Sequence, residues 1–91
     1  MLKLIWRESA VADAERIVEY IGEFNPDAAL RLRQSLHDSA ERLRSHPFMY
    51  RHGRATGTRE AVVHPNYILI YRVSADTVEI LKVIHSRQQY P

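Results

Sequence analysis

The sequence predicts an α+β domain with the element order β-α-α-β-β-β, a helical hairpin packed on one face of a small antiparallel sheet. Three observations predict it. Apolar residues from Val11 to Leu43 recur at three- and four-residue steps, the period of one-sided amphipathic helices. Asn25-Pro26 breaks that period once. After Gly57 the period falls to two, in three runs separated by short turns.

Leu2-Lys3-Leu4-Ile5-Trp6 is the first strand, with Leu2, Leu4 and Trp6 on one face. Ser9 is the expected N-cap of the first helix. Val11, Ala14, Ile17, Val18 and Ile21 form its apolar stripe, and Gly22 and Asn25 end it. Asn25-Pro26-Asp27 opens the second helix as an N-cap, a proline at the first helical position and an acid on the helix dipole. Ala29, Leu32, Leu36, Ala40 and Leu43 carry that helix to about Ser45, and Pro47 stops it. So short a connection folds the two helices into an antiparallel hairpin. Residues 46–57 have no apolar period and read as a loop. Three strands follow, over 58–64, 67–73 and 77–84, joined by Pro65-Asn66 and Ser74-Ala75-Asp76 into an antiparallel meander. Tyr67 and Tyr71 share the core-facing side of the central strand, and Arg72 faces the other way, within reach of Glu79 or Glu60. The helical hairpin covers one sheet face and leaves the other face, or a groove along its edge, for function.

Ninety-one residues make one domain, 1–91. A composition of 45% hydrophobic and 26% charged residues excludes disorder and low complexity. No apolar run reaches the roughly 20 residues of a membrane span, and MLKLIWRES lacks the apolar stretch of a signal peptide. The chain has no Cys, so it has no disulfide, thiolate nucleophile or cysteine zinc site, which suits a reducing cytoplasm. Charge is unevenly spread. Residues 1–45 hold seven Lys/Arg against eight Asp/Glu, whereas residues 46–91 hold six against three, with four of the five His. A polyanion or an acidic protein is the complement of that second half, although a surplus of this size is also common in small domains.

No Gly-rich loop precedes a helix, and the histidines at 37, 46, 52, 64 and 85 lack metal-ligand spacing, so neither cofactor nor metal is expected. One constellation stands out. Arg59 starts a strand, and His85, Arg87 and Tyr90 follow the end of another, so in an antiparallel meander both ends are expected to open onto one groove. A His base, an Arg on the phosphorane and an acid on the leaving oxygen cleave RNA without a metal. The competing reading makes His85 a strand-end residue bonded to backbone, Arg59 and Arg87 solvated charges, and Tyr90 a packing residue whose ordinary pKa near 10 suits it poorly as an acid. Arg51, His52 and Arg54 in the loop are candidate phosphate grips.

The stretches Gly57-Thr58-Arg59-Glu60-Ala61-Val62-Val63, Tyr67-Ile68-Leu69-Ile70-Tyr71-Arg72-Val73 and Val78-Glu79-Ile80-Leu81-Lys82-Val83-Ile84-His85 resemble the RelE/ParE toxin superfamily. So do Ile17-Val18-Glu19-Tyr20-Ile21 and Asn25-Pro26, and the likeness spans the whole chain. The resemblance implies a toxin of a bacterial type II toxin–antitoxin system. Its partner would be a cognate antitoxin, acidic and partly disordered, that folds on binding and wraps the toxin. Operator DNA would be met only through that antitoxin, and no membrane is involved.

The superfamily includes RelE-like ribosome-dependent mRNA endoribonucleases and ParE-like inhibitors of DNA gyrase. Arg59 keeps one of the nuclease class's basic positions, but Ala61 and Ile68 occupy two others, and neither can stabilise a phosphorane. His85 matches a strand-end position used by nucleases, yet a strand-end His followed by Arg also occurs in ParE-like members. The expectation is therefore a ParE-like gyrase inhibitor that contacts its target through Arg51, Arg54, Arg59, His85 and Arg87. The alternatives are a ribonuclease using His85 with Arg59, Arg87 and Tyr90, and a non-toxic antitoxin-binding module.

Overall fold

A computed structural model describes residues 1–88. Its elements are β1 (Lys3–Trp6), α1 (Glu8–Phe24), α2 (Pro26–Leu43), β2 (Arg51–His52), β3 (Arg59–His64), β4 (Tyr67–Val73) and β5 (Thr77–His85). The strands form one sheet in the order β1-β5-β4-β3-β2. The meander is antiparallel as expected, but β1 joins β5 in parallel, so the sheet is mixed. No hairpin links β1 to β5, and a chain that crosses through two helices first is free to return in either direction. The segment read as a loop contains β2, which pairs Arg51 with Glu60 and His52 with Arg59. Both β2 residues are exposed, so no apolar alternation marks the strand.

Asn25 makes the hairpin turn. Its backbone N–H donates to the Ile21 carbonyl at 2.8 Å, closing α1. Its Oδ1 accepts from the Ala28 N–H at 3.0 Å, capping α2, with Pro26 at the first helical position where a missing N–H costs nothing. Ser9 does not cap α1. The helix starts at Glu8, Arg7 occupies the cap position without a side-chain bond, and Ser9 Oγ instead donates to the Leu81 carbonyl at 2.8 Å.

That bond belongs to a larger device. β1 stops at Trp6, opposite Ile80, while β5 continues to His85. β5 also carries an irregularity, since Ile70 opposes Lys82 but Tyr71 opposes Ile80, leaving Leu81 as the extra residue. Beyond the end of β1, α1 supplies the missing partners. Ser9 takes the Leu81 carbonyl, and Asp13 Oδ2 accepts from the Val83 N–H at 3.0 Å while its Oδ1 pairs with Arg16 at 3.3 Å. A buried aspartate on an apolar helix face is stable here because both its oxygens are bonded.

The main core lies between the hairpin and the sheet: Val18, Leu32, Leu36 and Leu43 against Leu69, Tyr71, Val78, Ile80 and Val83. Full burial of such side chains stabilises the fold by about 1.5–3 kcal/mol each. The opposite sheet face is not empty ground. Ile68, Ile70 and Ile84 form a second buried cluster there.

Candidate functional site

β3 and β5 run in the same direction, on either side of the antiparallel β4. The start of β3 and the end of β5 therefore lie at opposite ends of the sheet. Arg59 opposes Tyr71, and His85 opposes Tyr67. The spacing from Tyr71 to Tyr67 corresponds to about 13 Å along the strand. The single groove expected for Arg59 and His85 is thus two separate sites.

At the Arg59 end, polar groups are used to hold backbone. Tyr71 is fully buried, and its Oη donates to the Pro47 carbonyl at 2.7 Å. Burial pushes the Tyr71 hydroxyl up to about 12, with the neighbouring Arg59 charge opposing that rise. Arg59 Nη1 donates to the Tyr50 carbonyl at 2.7 Å, and its guanidinium lies 5.0 Å from the centre of the Phe48 ring. The segment from Pro47 to Tyr50 is thereby pinned at both ends.

The loop arginines converge on a carboxylate. Glu60, 3% exposed, receives Arg51 Nη2 at 2.9 Å and Arg51 Nε at 3.1 Å, and Arg54 Nε lies 3.9 Å away. Arg54 Nη1 also donates to the Gln88 carbonyl at 3.3 Å. Glu60 projects on the same face as Ile70, where a carboxylate without cationic partners would be strongly destabilising. Arg51 and Arg54 therefore tie the loop to the sheet. The loop closes at Gly57, whose φ of +82° is the left-handed conformation that glycine adopts without strain.

The His85 end has a different construction. His85 Nδ1 accepts from the Arg87 N–H at 3.1 Å, and His64 Nδ1 accepts from the Asn66 N–H at 3.0 Å. Both rings pack on Tyr67, at 5.5 and 5.6 Å between centroids. The Ser86 N–H donates to the Asn66 carbonyl at 2.7 Å, joining the two turns. With each Nδ1 accepting, the ring proton is assigned to Nε2, and each histidine keeps one further donor. His64 and Tyr67 were absent from the sequence-derived site. A clue was available in the repeated arrangement of a strand-end His two residues before a backbone donor, His64 before Asn66 and His85 before Arg87. The Arg87 side chain is exposed beside them, and Tyr90 lies outside the described residues. Among the described residues no three His, Cys, Asp or Glu side chains gather as a metal site.

The remaining surface has two marked features. Arg72 meets Glu79 at 2.9 Å and Arg7 meets it at 2.8 Å, and those bonds hold the Glu79 carboxyl below its ordinary value. This is one of the two cross-strand pairings expected for Arg72. Between the helices runs a groove with Val18, Gly22, Pro26, Ala29 and Leu30 as its apolar lining and Glu15, Glu19 and Arg33 as its charged residues. Near the hairpin turn, Tyr20, Phe24 and Leu30 are exposed.

This α1–α2 hairpin on a five-stranded mixed sheet is the fold of small toxins from type II toxin–antitoxin systems. It matches a chain of the chromosomal ParDE system from P. aeruginosa with a TM-score of 0.81 at 21% identity, covering 93% of this chain and 96% of that one. It also matches a chain of the RelBE2 toxin–antitoxin complex from Mycobacterium tuberculosis, with a TM-score of 0.65 at 22% identity over 92% and 96% of the two chains. In sequence it is 37% identical to Toxin RelE2 of Caulobacter vibrioides over 86 residues, 94% of this chain and 97% of that protein. Residues 4–90 match the family model of the ParE toxin of the type II toxin–antitoxin system, parDE. The chain belongs to this toxin family. No helix among the described residues is long and apolar enough to cross a membrane.

Proposed function

We propose that this toxin acts in the cytoplasm by binding a protein rather than cutting RNA, as a ParE-like inhibitor of DNA gyrase. The observation that carries the reading is the separation of Arg59 from His85. A base and a phosphorane-stabilising cation must each come within about 3 Å of the reacting atoms. Arg59 and His85, at opposite ends of a strand, do not meet that requirement on one phosphodiester, which would leave a nuclease to rely on the exposed Arg87 beside His85. The engagement of Arg59 by the Tyr50 carbonyl and of Arg51 by Glu60 supports the same reading. His85 and Arg87 then serve as contact residues, as do Arg51, Arg54 and Arg59 from the same basic second half of the chain.

The cognate antitoxin, acidic and folding as it binds, would occupy the apolar groove between α1 and α2 and the sheet edge, and mask Arg59 and Arg87. Much of that contact is apolar, so high salt alone should leave the complex intact. Operator DNA is reached through the antitoxin. Function is tested by titrating antitoxin-free toxin, shown to be folded by circular dichroism, into a gyrase supercoiling reaction. The reading expects supercoiling to stop with linear DNA trapped, and expects His85→Ala to weaken inhibition without abolishing it. Unchanged supercoiling would contradict the reading and move the target to the ribosome and its mRNA.

A further inference from the structure

We infer that Phe48 and Met49 form a rigid apolar knob that seats in a carboxylate-edged pocket of the folded protein this toxin inhibits. The inference rests on the reading that the chain acts by binding a protein, and it locates the contact.

Phe48 is 66% exposed and Met49 56% exposed, at adjacent positions between Pro47 and Tyr50. Their backbone is not a loose loop. The fully buried Tyr71 holds the Pro47 carbonyl on one side, and Arg59 holds the Tyr50 carbonyl on the other. The Arg59 guanidinium also lies against the Phe48 ring. Two large apolar side chains are thus presented to water by a segment fixed from the core. Such a segment loses little conformational freedom on association, and a clustered aromatic side chain is the usual energetic centre of an interface.

The charge around the knob defines its partner. The adjoining groove is lined by Leu2, Pro47, Phe48 and Val73, and its charged side chain, Arg44, is already paired with Glu41 at 3.2 Å, so Arg59 is the cation left for a partner there. Arg59 forms no ion pair among the described residues. A protein surface carrying Asp or Glu beside an apolar pocket complements this corner. Rigidity favours a folded occupant. An apolar pair on a fixed segment gains most from a pre-formed pocket, because neither side then loses conformational freedom, whereas a flexible antitoxin segment fits a groove such as the one between α1 and α2.

The test compares two double variants of the full chain, Phe48→Ala with Met49→Ala, and Phe24→Ala with Leu30→Ala. All four side chains are more than half exposed, so neither change removes a core residue. Each protein is assayed for inhibition of the DNA gyrase holoenzyme, for growth arrest on expression without antitoxin, and for antitoxin affinity. The inference expects the Phe48/Met49 variant to lose at least tenfold in inhibition and to lose growth arrest, with a smaller loss in antitoxin affinity, since the antitoxin covers Arg59 beside Phe48 but also the helical groove. The Phe24/Leu30 variant should keep inhibition. A Phe48/Met49 variant that arrests growth like wild type overturns the inference. So does one whose loss is confined to antitoxin affinity. Wild-type toxin that spares gyrase yet arrests growth overturns the gyrase reading alone, and growth arrest by the variants then decides the knob. A wild-type chain that arrests no growth overturns both.

Discussion

The two ends of the sheet are built from similar residue types and work differently. At one end Arg59 and Tyr71 turn inward and spend their donors on the carbonyls of Tyr50 and Pro47. At the other, His64 and His85 accept backbone N–H groups through Nδ1 and keep the Nε2 proton as a second donor. The first end fixes a loop and displays apolar side chains. The second displays hydrogen-bond donors and the exposed Arg87. Residue type therefore did not decide which polar groups serve function; strand direction and the carbonyls within reach did.

The sharpest way to break this comparison is to loosen one end and ask whether the other notices. Asp13 holds the Val83 N–H, two residues before His85. Asp13→Ala leaves that buried donor without a partner and should cost about 2 kcal/mol in chemical denaturation. Asp13→Asn, which keeps an accepting oxygen, should recover part of the loss. A cost below about 0.5 kcal/mol for the alanine variant would mean that the end of β5 does not depend on α1.

Tyr71→Phe removes the Pro47 bond at the other end and should cost about 1 kcal/mol. Its pH signature is more specific. The folded hydroxyl titrates near 12 against 10.0 ordinarily, so folding favours its neutral form. Stability from this group is fully present below pH 10 and falls as pH rises from 10 towards 12. That alkaline loss should be smaller in Tyr71→Phe, and equal losses in the two proteins would remove Tyr71 as its source.

His85→Ala tests the contrast from the other side. A half-buried ring that bonds one turn amide and packs edge-on against Tyr67 should contribute less than about 1 kcal/mol to stability. A larger thermal or denaturant effect would make the His85 end structural, like its counterpart.

The smallest effect is expected at Glu79. Its carboxyl, held below the ordinary value of 4.5 by Arg72 and Arg7, stabilises the fold above that pH. The contribution is lost as pH falls through the depressed value. Because the arginines are partly exposed, added salt should shrink the acid-side difference between wild type and Glu79→Gln. A difference unaffected by salt would argue for a packing effect instead.

The elements that were legible in sequence are those whose apolar residues repeat. α1, α2 and the meander read correctly, and Asn25-Pro26 marked the hairpin because cap and proline chemistry is local. What escaped depends on contacts between distant residues. Ser9 looked like a helix cap, but the unpaired Leu81 carbonyl, 72 positions away, claimed its hydroxyl. β2 has two exposed residues and no alternation to detect. Glu60 interrupted an apolar strand without revealing that Arg51 and Arg54 would bury it. The supposed shared groove for Arg59 and His85 ignored strand polarity, which the order of the meander already contained.

The most direct measurement sets two targets side by side. One preparation of folded, antitoxin-free toxin is added to DNA gyrase with relaxed plasmid and to translating ribosomes with a defined mRNA. The account predicts loss of supercoiling with linear DNA trapped, and intact mRNA. Cleaved mRNA with unchanged supercoiling would contradict it.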